Sequence, residues 1–137
     1  KCLQAKGAKF VSVIHPTAYI GPAVAIGDGT IICANATLTC DIKIGRHVIV
    51  NVNSSVSHDC AVGDFSSISP GCSIAGRVTL GKSVFLGVGA KLMPDVSWGD
   101  GIVVGAGAVV TKSWGTGVLI GIPAMLKPEN RRCGNVE

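Results

Sequence analysis

Cut every six residues from Ile20, the chain places an aliphatic residue at the head of almost every segment. The heads are Ile20, Ile26, Ile32, Leu38, Ile44, Val50, Val56, Val62, Ile68, Ile74, Leu80, Leu86, Leu92, Trp98, Val104 and Val110. Sixteen hexads run without insertion, and fifteen heads are Ile, Leu or Val. Composition alone would supply about four such matches in an apolar chain. A second column stands two residues before each head, from Val24 through Cys60 and Cys72 to Ala108, and every member is small or β-branched. Gly follows the head at Gly21, Gly27, Gly45, Gly63, Gly81, Gly87, Gly99 and Gly105. Because Gly tolerates positive φ, this column is predicted to turn the corners.

A period of six fits neither an α-helix nor a simple hairpin. It fits short flat strands joined by tight corners, three to a coil, so that residues eighteen apart stack as parallel strands. The predicted fold is all-β, a parallel β-helix of about five coils, on the order of 25 Å long at the usual strand spacing. Its two inward columns bury against neighbouring coils, as in other solenoids. Handedness does not follow from the period. Residues 1–14 are expected to be a linker or the tail of an absent N-terminal domain, since they look out of phase and the chain lacks an initiating Met. Residues 15–124 form the predicted β-helix domain, closed by Gly121, Ile122 and Pro123. Residues 125–137 are a C-terminal tail, through which Pro128 forbids an unbroken helix.

Composition narrows the function. Hydrophobic residues make up 47% of the chain and charged residues only 15%, which excludes disorder over most of the length. The net charge of +4 is scattered, with no basic stripe interleaved with aromatics, so nucleic acid is not an expected partner. No apolar stretch is long enough to span a bilayer, and no membrane role is expected. The six cysteines show no CxxC spacing, so a zinc site is not expected. Cys60 and Cys72 fall in the inward column as small hydrophobes, and a reducing, cytoplasmic setting is the better expectation.

Several segments carry more than the period. They are Val13-Ile14-His15-Pro16-Thr17-Ala18, Ser57-His58-Asp59-Cys60-Ala61-Val62-Gly63-Asp64-Phe65, Ile68-Ser69-Pro70-Gly71, Ala75-Gly76-Arg77-Val78 and Gly121-Ile122-Pro123-Ala124. With them, over about residues 11–124, the chain resembles the bacterial hexapeptide-repeat acyltransferases. Within these it is similar to the sialic-acid O-acetyltransferase and bacillosamine-pathway sugar N-acetyltransferase group. The resemblance implies a left-handed coil, a homotrimer, and acetyl-CoA as co-substrate in the groove between neighbours. It implies His58 as general base, Asp59 beside it, and the Gly76 N–H facing the thioester carbonyl. Ser67, Val88 and Ala106 match cofactor contacts, and His15 and Asn51 are candidates for the acceptor sugar. Two departures stand out: relatives often carry a second histidine where this chain has Ser67, and usually an N-terminal nucleotide-sugar domain.

The residues support that chemistry on their own terms. Acetyl transfer needs a base near neutrality, which histidine supplies at a gain of about 10² to 10⁴ in rate. A neighbouring carboxylate stabilises the imidazolium, and a backbone N–H is the usual partner of the developing oxyanion. Gly76 lies eighteen residues after His58, hence one coil away in the same column, about 5 Å along the prism. His58 should face outward. His47 is expected to be a solvated surface residue, and Asn51 and Asn53 to cap corners, although Asn51 is also expected near His58, where it could position the acceptor. The acceptor atom, oxygen or nitrogen, stays open. The rival readings are a γ-type carbonic anhydrase, an ice-binding solenoid and a non-catalytic scaffold. The first lacks a close histidine pair, the second lacks ranks of Thr, and the third rests on Ser67 and the missing domain.

Overall fold

The structure is a computed structural model and describes residues 4–126. After a short 3₁₀ turn at Gln4–Lys6, two-residue strands recur at the six-residue period, each made of an outward residue followed by the hexad head. Strands eighteen apart pair in parallel, as Ser67–Ile68 does with Ile49–Val50 and Phe85–Leu86. Three faces result. The first runs from Val13–Ile14 to Val118–Ile120, the second from Tyr19–Ile20 to Val109–Val110, and the third from Ala25–Ile26 to Thr79–Leu80. This is the all-β parallel solenoid that the hexads predict, consistent with a left-handed β-helix.

The coil count is larger than predicted. Seven parallel strands stack on the first face, giving about six turns rather than five. The extra length enters at the N-terminal end, because Val13 and Ile14, assigned above to a linker, pair in register with Ile31 and Ile32. Ile14 is six residues before Ile20, so its phase is that of the prism. At the other end the coil contracts. Trp98 bridges Trp114, and Val104 pairs with Leu119, only fifteen residues on. The chain then reverses, and Met125–Leu126 pairs antiparallel with Val118–Ile120. Residues 127–137, with Pro128 and Cys133, and residues 1–3, with Cys2, lie outside the described residues.

Both inward columns are buried: the heads from Ile32 to Val110, and the column before them from Thr30 to Ala108. Its polar members have a structural task. Ser54 Oγ donates to the Ser69 carbonyl at 2.9 Å and accepts the Cys72 N–H at 3.3 Å. Thr30, Ser66 and Cys60 bridge the next coil in the same way. Cys60 and Cys72 are therefore hydrogen-bonding residues as well as small hydrophobes, with burial pushing both thiols above their ordinary pKa. Ser54→Ala should destabilise the chain by about 1–3 kcal/mol, because it strands a buried N–H and a buried carbonyl. Ser54→Cys should lose less, since a thiol fills the same bridge at Cys60. Urea denaturation of the two variants measures the difference.

The corners are not made by the glycine column after the heads. The left-handed residue is the third after each head, and fifteen of these in succession, from Ala23 to Gly107, have φ between 54° and 72°. Asn and Asp recur there because they tolerate this region better than most side chains. The glycines after the heads answer a different demand. A Cβ on Gly63 would fall on the Gly81 carbonyl of the next coil, and one on Gly81 would lie 2.5 Å from the Gly99 carbonyl. The coils approach too closely there for any side chain.

Candidate active site

His58 and Asp59 occupy the corner that leads from the second face to the third. The strand Ser55–Val56 ends just before it, and Asp59 is the left-handed residue, with φ of 58°. That conformation turns the Asp59 carboxylate onto its neighbour, so Asp59 Oδ2 lies 2.8 Å from His58 Nδ1. The His58 side chain is 49% exposed, which leaves Nε2 free to meet a ligand. One coil on, the imidazole covers Gly76. A Cβ at Gly76 would stand 2.5 Å from both Cε1 and Nε2 of the ring. Gly76 is therefore the clearing in which the ring sits.

The Gly76 N–H has no backbone partner among the described residues. On the edge between the third and first faces, the equivalent N–H groups of Arg46 and Lys82 are capped by Asp64 and Asp100 from the following coil. The Arg46 N–H, with the Arg46 guanidinium, holds the Asp64 carboxyl below its ordinary pKa. The residue that would cap Gly76 is Pro94, which has no side-chain acceptor. The structure thus brings His58, Asp59 and Gly76 together, with a ring nitrogen and an unclaimed N–H at one corner.

The other candidates lie elsewhere on the prism. Val88 and Ala106 stack at the corner from the first face to the second, where the Gly107 N–H donates to the Val88 carbonyl at 2.8 Å. Ser67 faces outward from the first face, between Ile49 and Phe85. His15 and Asn51 share a column at the end of that face, two coils apart. His15 Nδ1 meets Thr17 Oγ1 at 2.9 Å, and Asn51 Oδ1 accepts the Val52 N–H at 2.9 Å as a corner cap. One prism holds this group apart from His58 across the width of the second face, and Asn51 and His58 flank the strand Ser55–Val56 from opposite ends. His47 is not a solvated surface residue: it is half-buried, stacked on Phe65 with ring centroids 5.2 Å apart and edge-on to Phe10 at 4.6 Å. His15, His47 and His58 sit on three different edges.

Several solved structures share this prism. The chain is similar to perosamine N-acetyltransferase from Caulobacter crescentus, solved with CoA and GDP-perosamine, at 36% identity and a TM-score of 0.89, over 90% of this chain and 60% of that one. That neighbour is a sugar N-acetyltransferase, and the match runs over a hexapeptide-repeat β-helix. The acetyltransferase domain of PglB from Neisseria gonorrhoeae, solved with acetyl coenzyme A, matches at 32% identity and a TM-score of 0.87, over 90% of this chain and 61% of that one. WeeI from Acinetobacter baumannii matches at 33% identity and a TM-score of 0.86, over 92% and 62%. The chain thus spans about three fifths of the length of these relatives. No family model and no curated protein matches it. No helix among the described residues is long and apolar enough to cross a membrane.

Sequence reasoning missed Arg77 and Asp95. Arg77 follows Gly76 on the His58 edge and donates to Asp95 through Nε at 2.6 Å and Nη2 at 3.0 Å. The signal was available as charged residues at eighteen-residue spacing: Asp41, Asp59, Arg77 and Asp95.

Proposed function

We propose that the chain is an acetyl-CoA-dependent acetyltransferase that moves an acetyl group to an amino or hydroxyl group of a sugar or nucleotide sugar. The observation that carries this is the His58–Asp59 pair at 2.8 Å, seated over Gly76 with its N–H unclaimed. In the proposed reaction, His58 Nε2 takes the proton from the acceptor as its nitrogen or oxygen attacks the thioester carbonyl. Asp59 accepts the Nδ1–H and stabilises the imidazolium. The Gly76 N–H donates to the oxyanion of the tetrahedral intermediate. Collapse breaks the carbon–sulfur bond, and the imidazolium returns its proton to the leaving CoA thiolate. Relatives solved with CoA and GDP-perosamine support the substrate class.

The same proposal makes the working unit a homotrimer, with Ser67, Val88 and Ala106 of one copy meeting the His58 edge of the next. His15 and Asn51 remain proposed contacts to the acceptor. Two features support sharing between copies. One prism separates the two groups of residues, and its first face is an exposed apolar sheet. Val13, Ile31, Ile49, Phe85, Val103 and Val118 project from that face, each more than a third exposed, interrupted only by Ser67. The matching column of the second face begins with Tyr19 and ends with Val109, but its four central members are Thr37, Ser55, Ser73 and Lys91. An apolar sheet of that extent marks an interaction surface. Four free thiols among the described residues support a cytoplasmic setting.

The test is to incubate the protein with acetyl-CoA and a GDP- or UDP-linked amino sugar while following thiol release, alongside calorimetric titration of acetyl-CoA and light scattering. Thiol release dependent on the sugar, saturable binding and a trimeric mass are expected. Absence of both binding and release would favour the non-catalytic scaffold instead. A stable monomer at micromolar concentration would remove the shared site.

A further inference from the structure

The edge that carries His58 presents two stacked columns, the second and third residues after each strand head. The first column holds Cys40, His58, Gly76 and Pro94, and the second holds Asp41, Asp59, Arg77 and Asp95. Arg77 therefore has a carboxylate one coil before it and another one coil after it, each about 5 Å away along the prism. It is committed to one of them. Its guanidinium grips Asp95 through two bonds, at 2.6 and 3.0 Å, the fork-on-carboxylate geometry that makes such pairs specific. The other carboxylate, Asp59, is left to the imidazole. The two corners are also tied by the Arg77 N–H, which donates to the His58 carbonyl at 2.9 Å.

We propose that Asp95 is a positioning residue for the His58–Asp59 pair: by occupying the Arg77 guanidinium, it keeps Asp59 free to accept the Nδ1–H of His58. This rests on the function proposed above only for its effect on turnover; the positioning itself is a property of the edge. Asp59 has two cationic suitors on adjacent positions, and Asp95 removes the stronger one. Arg77 still senses both acids. Its pKa is raised chiefly by the hydrogen bond to Asp95, then by the Asp95 charge, with Asp59 adding to it. The hydrogen bond from Arg77 holds the Asp95 carboxyl below its ordinary range. The groups facing His58 are Asp59 on its own corner, Cys40 and Asp41 from the coil before, and Gly76 and Arg77 from the coil after.

The arrangement has a consequence that a general loss of charge does not share. With Asp59 accepting from Nδ1, neutral His58 is held as the Nδ1–H tautomer, with the Nε2 lone pair directed outward. Without Asp95, Arg77 turns to Asp59, the acceptor for Nδ1–H is taken, and the Nε2–H tautomer gains. That tautomer presents a donor where a base is required.

The experiment is ¹⁵N NMR of the full chain, reading the His58 ring nitrogens on the alkaline side of its titration, in wild type, Asp95→Asn, Asp95→Glu and Asp95→Asn with Arg77→Gln. The Nδ1–H form should dominate in wild type and in Asp95→Glu, give way to Nε2–H in Asp95→Asn, and return in the double variant. Turnover in Asp95→Asn should fall about tenfold, part of the range for a general base, with the KM for acetyl-CoA unchanged. An unchanged tautomer ratio in Asp95→Asn overturns the proposal, whatever happens to turnover. A shifted ratio with unchanged turnover upholds the positioning and overturns instead the role of His58 as base.

Discussion

Replacing His58 with Ala should lower kcat by at least about 100-fold, the smallest loss consistent with removing a general base. The proton of the acceptor would then lose its imidazole base, and the nearest remaining side chains are the Asp59 carboxylate, a weaker base than an imidazole, and the Cys40 thiol. The pKa of that thiol is raised, first by desolvation and then by the Asp41 charge. The coil should tolerate the change. His58 is half-exposed, and its main-chain carbonyl, not its ring, accepts the Arg77 N–H that ties the two coils. Acetyl-CoA affinity should stay within about twofold, since a base that acts on the acceptor adds to the transition state and not to uniform binding. Thiol-release kinetics, calorimetry and the melting temperature together check this. A variant that kept more than a tenth of wild-type kcat would overturn the base assignment. Asp59→Asn should cost less, because it leaves the imidazole in place and removes only its partner.

The parts of the molecule legible in the sequence are those set by the inward columns. Heads such as Ile68, Ile74 and Leu86 are buried on every coil, so their spacing had to appear as a period. The site was legible where that spacing carries chemistry: His58 and Gly76 are one coil apart, and the structure places the ring directly over the glycine. The cause of the glycine column was misread. Positive φ belongs two positions later, at residues such as Asp59 and Arg77, where the preference is spread over Asn, Asp, Gly and others and leaves no single letter to follow. His47 was misread because its partners are not near it in sequence. Phe65 is eighteen residues on, and Phe10 comes from the segment before the first coil. Ile14 was passed over because its neighbours Val11 and Val13 blur the phase, although pairing with Ile32 fixes it. The contraction at Trp114 and Leu119 follows from backbone pairing, which no column of side chains announces.

Gly76→Ala should be nearly as damaging to turnover as losing His58, although it adds a single methyl group far smaller than the ring. Elsewhere in this column the edge accepts side chains without difficulty: Pro22, Cys40, His58 and Pro94 all occupy it. Gly76 does not adopt positive φ, so alanine meets no backbone penalty there. The nearest obstacle is the imidazole, whose Cε1 and Nε2 would lie 2.5 Å from the new carbon, well inside contact distance. The ring must therefore rotate away, and rotation breaks its 2.8 Å pairing with Asp59 and moves Nε2 from the corner. A misplaced base loses most of its effect even when its chemistry is intact. The expected result is a fall in kcat of about 100-fold, with oligomeric state and acetyl-CoA binding unchanged. The double variant with His58→Ala separates this from general damage. If the methyl acts only by displacing the ring, adding Gly76→Ala to His58→Ala should change neither kcat nor melting temperature further. A large additional loss in the double variant would mean that Gly76 serves the coil itself, and that the clearing under His58 is incidental.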